Sequence, residues 1–323
     1  MSTTHLFLGN CRRTWLWVAL IFRAHRSQVK IRYRSFCLAI ACRYSAPSRR
    51  ISRLHLLMLE VIDKRPSRES DKASLLFVHG AWHGAWCWDE HFLDFFAAKG
   101  YRSLAISLRG HGKSSAPKPM QFCSIVDFVD DVASVANSLP QPPVVIGHSM
   151  GGFVVQKYLE SHDAPAAVLV ASVPPSGITK FLLRCVKRHP WCMVRSLAMT
   201  KSLRGVAGTP EMAREIFFSE LASEPDVVRY TAQLCEEYAA RIALDLLWLN
   251  LPRPNLVTTP LLVLGAEDDV CFTQAEVRAT AAAYHTEAEM YPKMSHDMML
   301  DPGWVNVAER IQAWLETRDP AIV

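Results

Sequence analysis

The chain of 323 residues carries 36 Lys and Arg against 31 Asp and Glu, a formal charge of +5, and half of its residues are hydrophobic. That apolar content excludes a chain disordered throughout, which would lack the surface to offset the entropy of ordering. The charge is unevenly placed. Residues 1–57 hold 11 basic residues and no acid, which leaves 25 basic against 31 acidic residues from Met58 onward, a net of −6. An acidic folded body repels phosphates, so no nucleic-acid partner is expected.

The first 57 residues read as a basic arm outside the fold. They are Arg-rich, contain several Ser and lack acids, as transit peptides do. Their longest apolar run, Trp15 to Phe22, has eight residues, and a membrane span needs about 20. Three readings stay open: a targeting presequence, a translation start at Met58 that leaves the arm untranslated, and a basic amphipathic anchor making peripheral membrane contact. Without targeting the expected location is cytoplasmic; with it, organellar or exported. Nine cysteines, an odd number with no C-x-x-C spacing, fit reduced thiols rather than a disulfide framework or a zinc site.

From there short apolar runs alternate with helical stretches. Strands are expected at 55–63, 74–78, 102–108, 143–147, 166–171 and 260–264, with a weaker one at 288–291. Helices are expected at 124–138, 152–161, 274–283 and 305–317. Unbroken Val/Ile/Leu runs such as Val144-Val145-Ile146 suit strands covered on both faces. The alternation predicts an α/β fold with an open, mostly parallel, doubly wound sheet. Residues 176–255 break the rhythm: they carry no good strand and are rich in Leu, Met and Trp. The expected organisation is therefore a core of 58–175 and 256–323 with a helical cap inserted at 176–255.

Two segments carry chemistry. Gly147-His148-Ser149-Met150-Gly151 is G-x-S-x-G between an apolar run and a helix, the setting of a nucleophile elbow. A tight turn there lifts the Ser149 hydroxyl out of the sheet edge, and the helix N-terminus aims N–H groups at developing negative charge. His79-Gly80-Ala81-Trp82 closes the strand of Leu75 to Val78. Together the two turns offer an oxyanion hole from the amides of Ala81 and Met150. No zincin helix, dinucleotide fingerprint or phosphate loop is present in the sequence, so neither cofactor nor metal is expected.

These residues resemble the α/β-hydrolase superfamily. Leu75 to Gly80 looks like its oxyanion-loop strand, Leu108 to Ser115 like its R-G-x-G-x-S segment, Leu262 to Asp268 like the strand that delivers the acid, and Ser295-His296-Asp297 like the loop of the base. The resemblance spans roughly Leu57 to Leu315. It implies Ser149 as nucleophile, His296 as general base and an acid that orients the imidazole. The family's usual spacing after the strand-end glycine selects Asp268, with Asp269 as the competitor, and leaves Asp297 a loop or cap residue. His148 is expected to pack under the elbow and His79 to hold the structure of its loop, while His83 and His111 read as loop histidines without a catalytic part. The loop of His79 to Trp88 is also similar to that of plant methylesterases and hydroxynitrile lyases, families into which the R-G-H-G-K-S segment does not fit well.

A serine nucleophile points to acyl transfer through an acyl-enzyme. The expected activity is a carboxylesterase- or lipase-like hydrolase acting on a small ester or an acyl lipid. The alternatives are a ligand-binding receptor on the same fold, a hydroxynitrile lyase, or a haloperoxidase-type side activity. In the cap, Lys180, Arg184, Lys187, Arg188, Arg195, Lys201 and Arg204 occur without an acid from Ala164 to Pro210. They read either as a solvated face or as an attractor of anionic head groups. Phe181, Leu182, Leu183, Trp191, Met193 and Met199 read either as ordinary packing between cap and core or as the lining of an acyl pocket. The oligomeric state is not legible.

Overall fold

Each of the seven expected strands forms. They are β1 (Glu60–Lys64), β2 (Leu75–Val78), β3 (Ser103–Ser107), β4 (Val144–His148), β5 (Ala167–Val170), β6 (Leu261–Ala266) and β7 (Ala288–Tyr291). The computed structural model describes residues 57–68, 70–116, 119–188, 207–237 and 240–318, all within the unit Leu54–Val323. The basic arm lies outside the described residues but for its last position. Among the described residues no helix is long and apolar enough to cross a membrane.

The strands form one sheet in the order β1-β3-β2-β4-β5-β6-β7. Only β1 runs antiparallel to its neighbour, pairing Glu60 with Ser107; the other pairings are parallel. Residues of β2 to β6 are buried on both faces, which is why their sequences are continuous apolar runs rather than alternating ones.

Alternate side chains of the strands divide the core in two. Leu75, Phe77, Val144 and Ile146 pack with Phe92 and Phe96 of α1 (Phe92–Ala98) and with Ile311 and Leu315 of α9 (Trp304–Glu316). Leu76, Val78, Val145 and Leu169 pack on the other side with Phe128 of α2 (Ile125–Ala136), Phe153 of α3 (Met150–Tyr158) and Val277 of α8 (Gln274–Ala283). α1 carried no sequence expectation. Its Phe-rich sequence is a poor helix former, and burial of Phe92, Leu93 and Phe96 decides its state. Helices α2 and α8 start where Ser124 with Asp127, and Thr273 with Glu276, close capping boxes.

Between β5 and β6 the described chain is helical: α4 (Thr179–Arg188), α5 (Pro210–Phe217), α6 (Glu224–Thr231) and α7 (Ala240–Leu244), the last running into a π-helical turn at Asp245–Leu249. The parallel strands all end on one side of the sheet, and the residues singled out by sequence follow those ends, the usual place for a site in an open α/β sheet.

Candidate active site

Ser149 follows β4 directly and has φ 51° and ψ −118°, a conformation that L-residues avoid at a cost of about 1–3 kcal/mol. The turn is tight enough that a side chain at Gly147 would meet the backbone of Gly151 and Gly152. The strain aims Oγ at the loop after β7, where His296 Nε2 lies 2.9 Å away. On the other side of the ring, Nδ1 donates to Asp269 Oδ2 at 2.8 Å. His296 and Asp269 are both buried. Burial opposes charge on His296, but the Asp269 carboxylate outweighs it and the net direction of its pKa is upward.

The acid beside the histidine is thus Asp269 and not Asp268. β6 extends past its end, with Glu267 N–H donating to Tyr291 O at 2.9 Å and Asp268 N–H to Met294 O at 3.0 Å. That continuation leaves the Asp268 side chain exposed and turns the next residue inward. Asp269 Oδ1 then accepts the amides of Cys271 at 2.7 Å and Phe272 at 3.1 Å. Two amides on one oxygen leave the other for the imidazole.

Ala81 and Met150 both line the pocket in front of Ser149. Met150 opens α3, so its N–H has no intrahelical acceptor. Among the described residues the Ala81 N–H donates to no backbone acceptor. The two amides are therefore free for a ligand oxygen.

The histidines expected to take no catalytic part are each tied to a polar partner. His148 Nε2 donates to His296 O at 3.0 Å; burial first, and then the charge of His296, lower its pKa to about 3. His79 Nδ1 donates to Gly80 O at 2.7 Å, and its Nε2 accepts the Leu108 N–H at 3.0 Å. His83 Nδ1 lies 2.7 Å from Ala81 O and Nε2 lies 2.9 Å from Asp297 Oδ2. Asp297 is a loop residue, as expected, and its carboxylate is fully buried. His111 meets Glu237 Oε2 at 3.0 Å. Sequence gave no sign of Glu237, which comes from the segment between α6 and α7. In the R-G-H-G-K-S stretch, Arg109 is a scaffold group whose guanidinium holds Asp127 and Asp131 of α2.

The empty space of the pocket, counted with the open solvent at its mouth, is about 770 Å³. Its walls are Val173 and Phe272 from the core with Ile178, Phe181, Phe217 and Ile242 from the insertion. Of the expected lining residues, Phe181 and Leu182 are present and Leu183 is 58% exposed. Trp191, Met193 and Met199 lie outside the described residues, as do Arg195, Lys201 and Arg204. Two cations of the basic stretch are paired, Arg184 with Glu276 at 2.9 Å and Arg188 with Glu215 at 2.8 Å. Asp269, Cys271 and His296 bring ligand atoms within 4.8 Å of one another. Asp269 and His296 are already satisfied by hydrogen bonds, so the chemistry this arrangement offers directly is proton transfer from a hydroxyl.

Residues 75–308 match the model of the Alpha/beta hydrolase family. The chain belongs to the α/β-hydrolase family. This α/β-hydrolase is 27% identical over 241 residues to a monoacylglycerol lipase of Mycolicibacterium smegmatis, covering 70% of this chain and 81% of that one. It is 26% identical over 206 residues to a pFDCC methylesterase of Arabidopsis thaliana, covering 61% of this chain and 77% of the relative. Among solved structures, the enol-lactonase of Burkholderia xenovorans LB400 superposes with a TM-score of 0.64 at 17% identity, over 81% of this chain and 98% of that one. That likeness speaks for the fold.

Proposed function

We propose that this α/β-hydrolase cleaves carboxylic esters through an acyl-serine intermediate. The observation that carries the reading is the unbroken chain Ser149 Oγ–His296–Asp269, at 2.9 and 2.8 Å, opening into an apolar pocket. Ser149 Oγ attacks the ester carbonyl carbon while His296 Nε2 takes its proton. The carbonyl oxygen becomes an oxyanion between the amides of Ala81 and Met150. On collapse the bond to the alcohol oxygen breaks, and His296 returns the proton to the departing alcohol. Water, deprotonated by His296, then releases the acid and restores Ser149. Asp269 keeps the proton on Nδ1, so Nε2 is free to accept.

The intact chain of hydrogen bonds favours an enzyme over a non-catalytic receptor. The apolar walls supplied by the insertion support an acyl chain as the part of the substrate that is buried, and the relationship to a monoacylglycerol lipase supports a monoacyl lipid. In this reading the helices of 176–255 act as a cap over the site. The test is labelling with a fluorophosphonate, followed by a chromogenic ester series of increasing acyl length. Ser149-dependent labelling with ester turnover is expected. Labelling without turnover of any ester would sink the esterase assignment.

A further inference from the structure

The peptide group that carries the Ala81 N–H and the two that follow it are all held. Gly80 O accepts His79 Nδ1 at 2.7 Å. Ala81 O accepts His83 Nδ1 at 2.7 Å, and His83 is itself fixed by Asp297. The next two contacts come from the insertion. Trp82 N–H donates to Glu237 Oε2 at 3.0 Å, and Trp82 O accepts the Cys235 N–H at 2.6 Å. Trp82 has φ 64°, a left-handed conformation that a residue with a bulky side chain keeps only when its surroundings impose it. The Ala81–Trp82 peptide plane is therefore gripped at its carbonyl by the core and at its N–H by the insertion.

Glu237 is only 3% exposed. Its Oε2 accepts from both Trp82 and His111, while Oε1 has no hydrogen-bond partner among the described residues. The second ring nitrogen of His111 faces Arg109 O at 3.2 Å. With acceptors at both nitrogens, His111 donates from both and pairs with Glu237 as an imidazolium. The ion pair fixes the carboxylate, and the carboxylate fixes Trp82. We propose that Glu237 is a positioning residue for the oxyanion hole, aiming the Ala81 amide at the reacting carbonyl through its bond to the Trp82 amide. The inference rests on the acyl-enzyme reading. It adds that the hole is complete only when the 234–237 segment is seated against the loop after β2.

An oxyanion donor acts mainly in the transition state, so its misplacement lowers kcat more than it raises KM. Complete loss of one donor costs about a hundredfold to a thousandfold in kcat. For a misaimed donor, Glu237→Ala should lower kcat about tenfold to a hundredfold, counted per serine titrated by fluorophosphonate, with KM within about threefold. Glu237→Gln keeps an acceptor for the Trp82 amide and should lose less. A second readout is the rate ratio between an oxoester and its thionoester. Sulfur is a poor acceptor at the hole, so this ratio should fall together with kcat. A purely structural role would lower the fraction of titratable enzyme and leave kcat per site and the ratio unmoved, which would overturn the proposal. If Glu237→Ala does not fold, the kcat and the ratio of Glu237→Gln decide. If the wild-type protein turns over no ester, the esterase reading fails separately, and the phosphonylation rate, which uses the same hole, tests the positioning on its own. An equal rate in wild type and variant, or no labelling of the wild type, would overturn it.

Discussion

Replacing one of two neighbouring acids separates their roles. In Asp269→Asn, the amides of Cys271 and Phe272 retain the carboxamide oxygen, because it is the only acceptor left in that group. The NH₂ group then faces His296 Nδ1 across the former 2.8 Å bond and donates to it. The imidazole proton moves to Nε2, where it meets Ser149 Oγ, and the base can no longer accept. A tautomer fixed the wrong way costs about 10⁴ in kcat, or about 5.5 kcal/mol of transition-state stabilisation. Asp268 is exposed and donates only its backbone amide, so Asp268→Asn should change the rate by no more than about twofold, the range of a surface substitution of about 0.5 kcal/mol. The assay is kcat/KM on a chromogenic ester, with melting curves to establish that both variants fold. The reasoning is refuted if Asp268→Asn is the more impaired, or if Asp269→Asn keeps more than about a tenth of wild-type activity.

Ser149→Gly and Ser149→Ala should both abolish turnover and labelling, yet the glycine variant should be the more stable by about 1 kcal/mol, since φ 51° with ψ −118° strains any residue with a side chain. Equal melting temperatures would show that the elbow stores no strain. His148 has its pKa lowered to about 3 by burial and then by the charge of His296, while the unfolded chain takes up that proton near pH 6.5. Between those values the unfolded state binds more protons, so stability falls as pH falls, by about 2 kcal/mol from pH 6.5 to 4.5. Urea unfolding at both pH values should show a shallower loss in His148→Asn; parallel losses would remove His148 from the account.

The strands were legible because burial on both faces leaves an unbroken apolar run, and Val144 to His148 is such a run with a tight-turn signature behind it. The meeting of Ser149 with His296 was legible because both stand in short segments that resemble the family's elbow and its base loop. The acid was not, because Asp268 and Asp269 differ only in which way a two-residue continuation of β6 turns them. The partners of His83 and His111 lie 214 and 126 positions away, and no local pattern announces a pairing of that range. For the same reason the charge of Arg184 looked unopposed along the chain, although Glu276 neutralises it in space.

The bond between Trp82 and Glu237 spans 155 positions and joins the loop after β2 to the segment between β5 and β6. That bond restricts any replacement of what stands between β5 and β6. A graft of foreign helices would arrive without an acid in reach of Trp82 and would leave the buried His111 without its counter-charge. Drift in substrate range at this site is therefore easier through single wall residues such as Phe181 or Ile242 than by replacement of the whole segment, and a designer of chimeras would have to carry Cys235 to Glu237 along with the core.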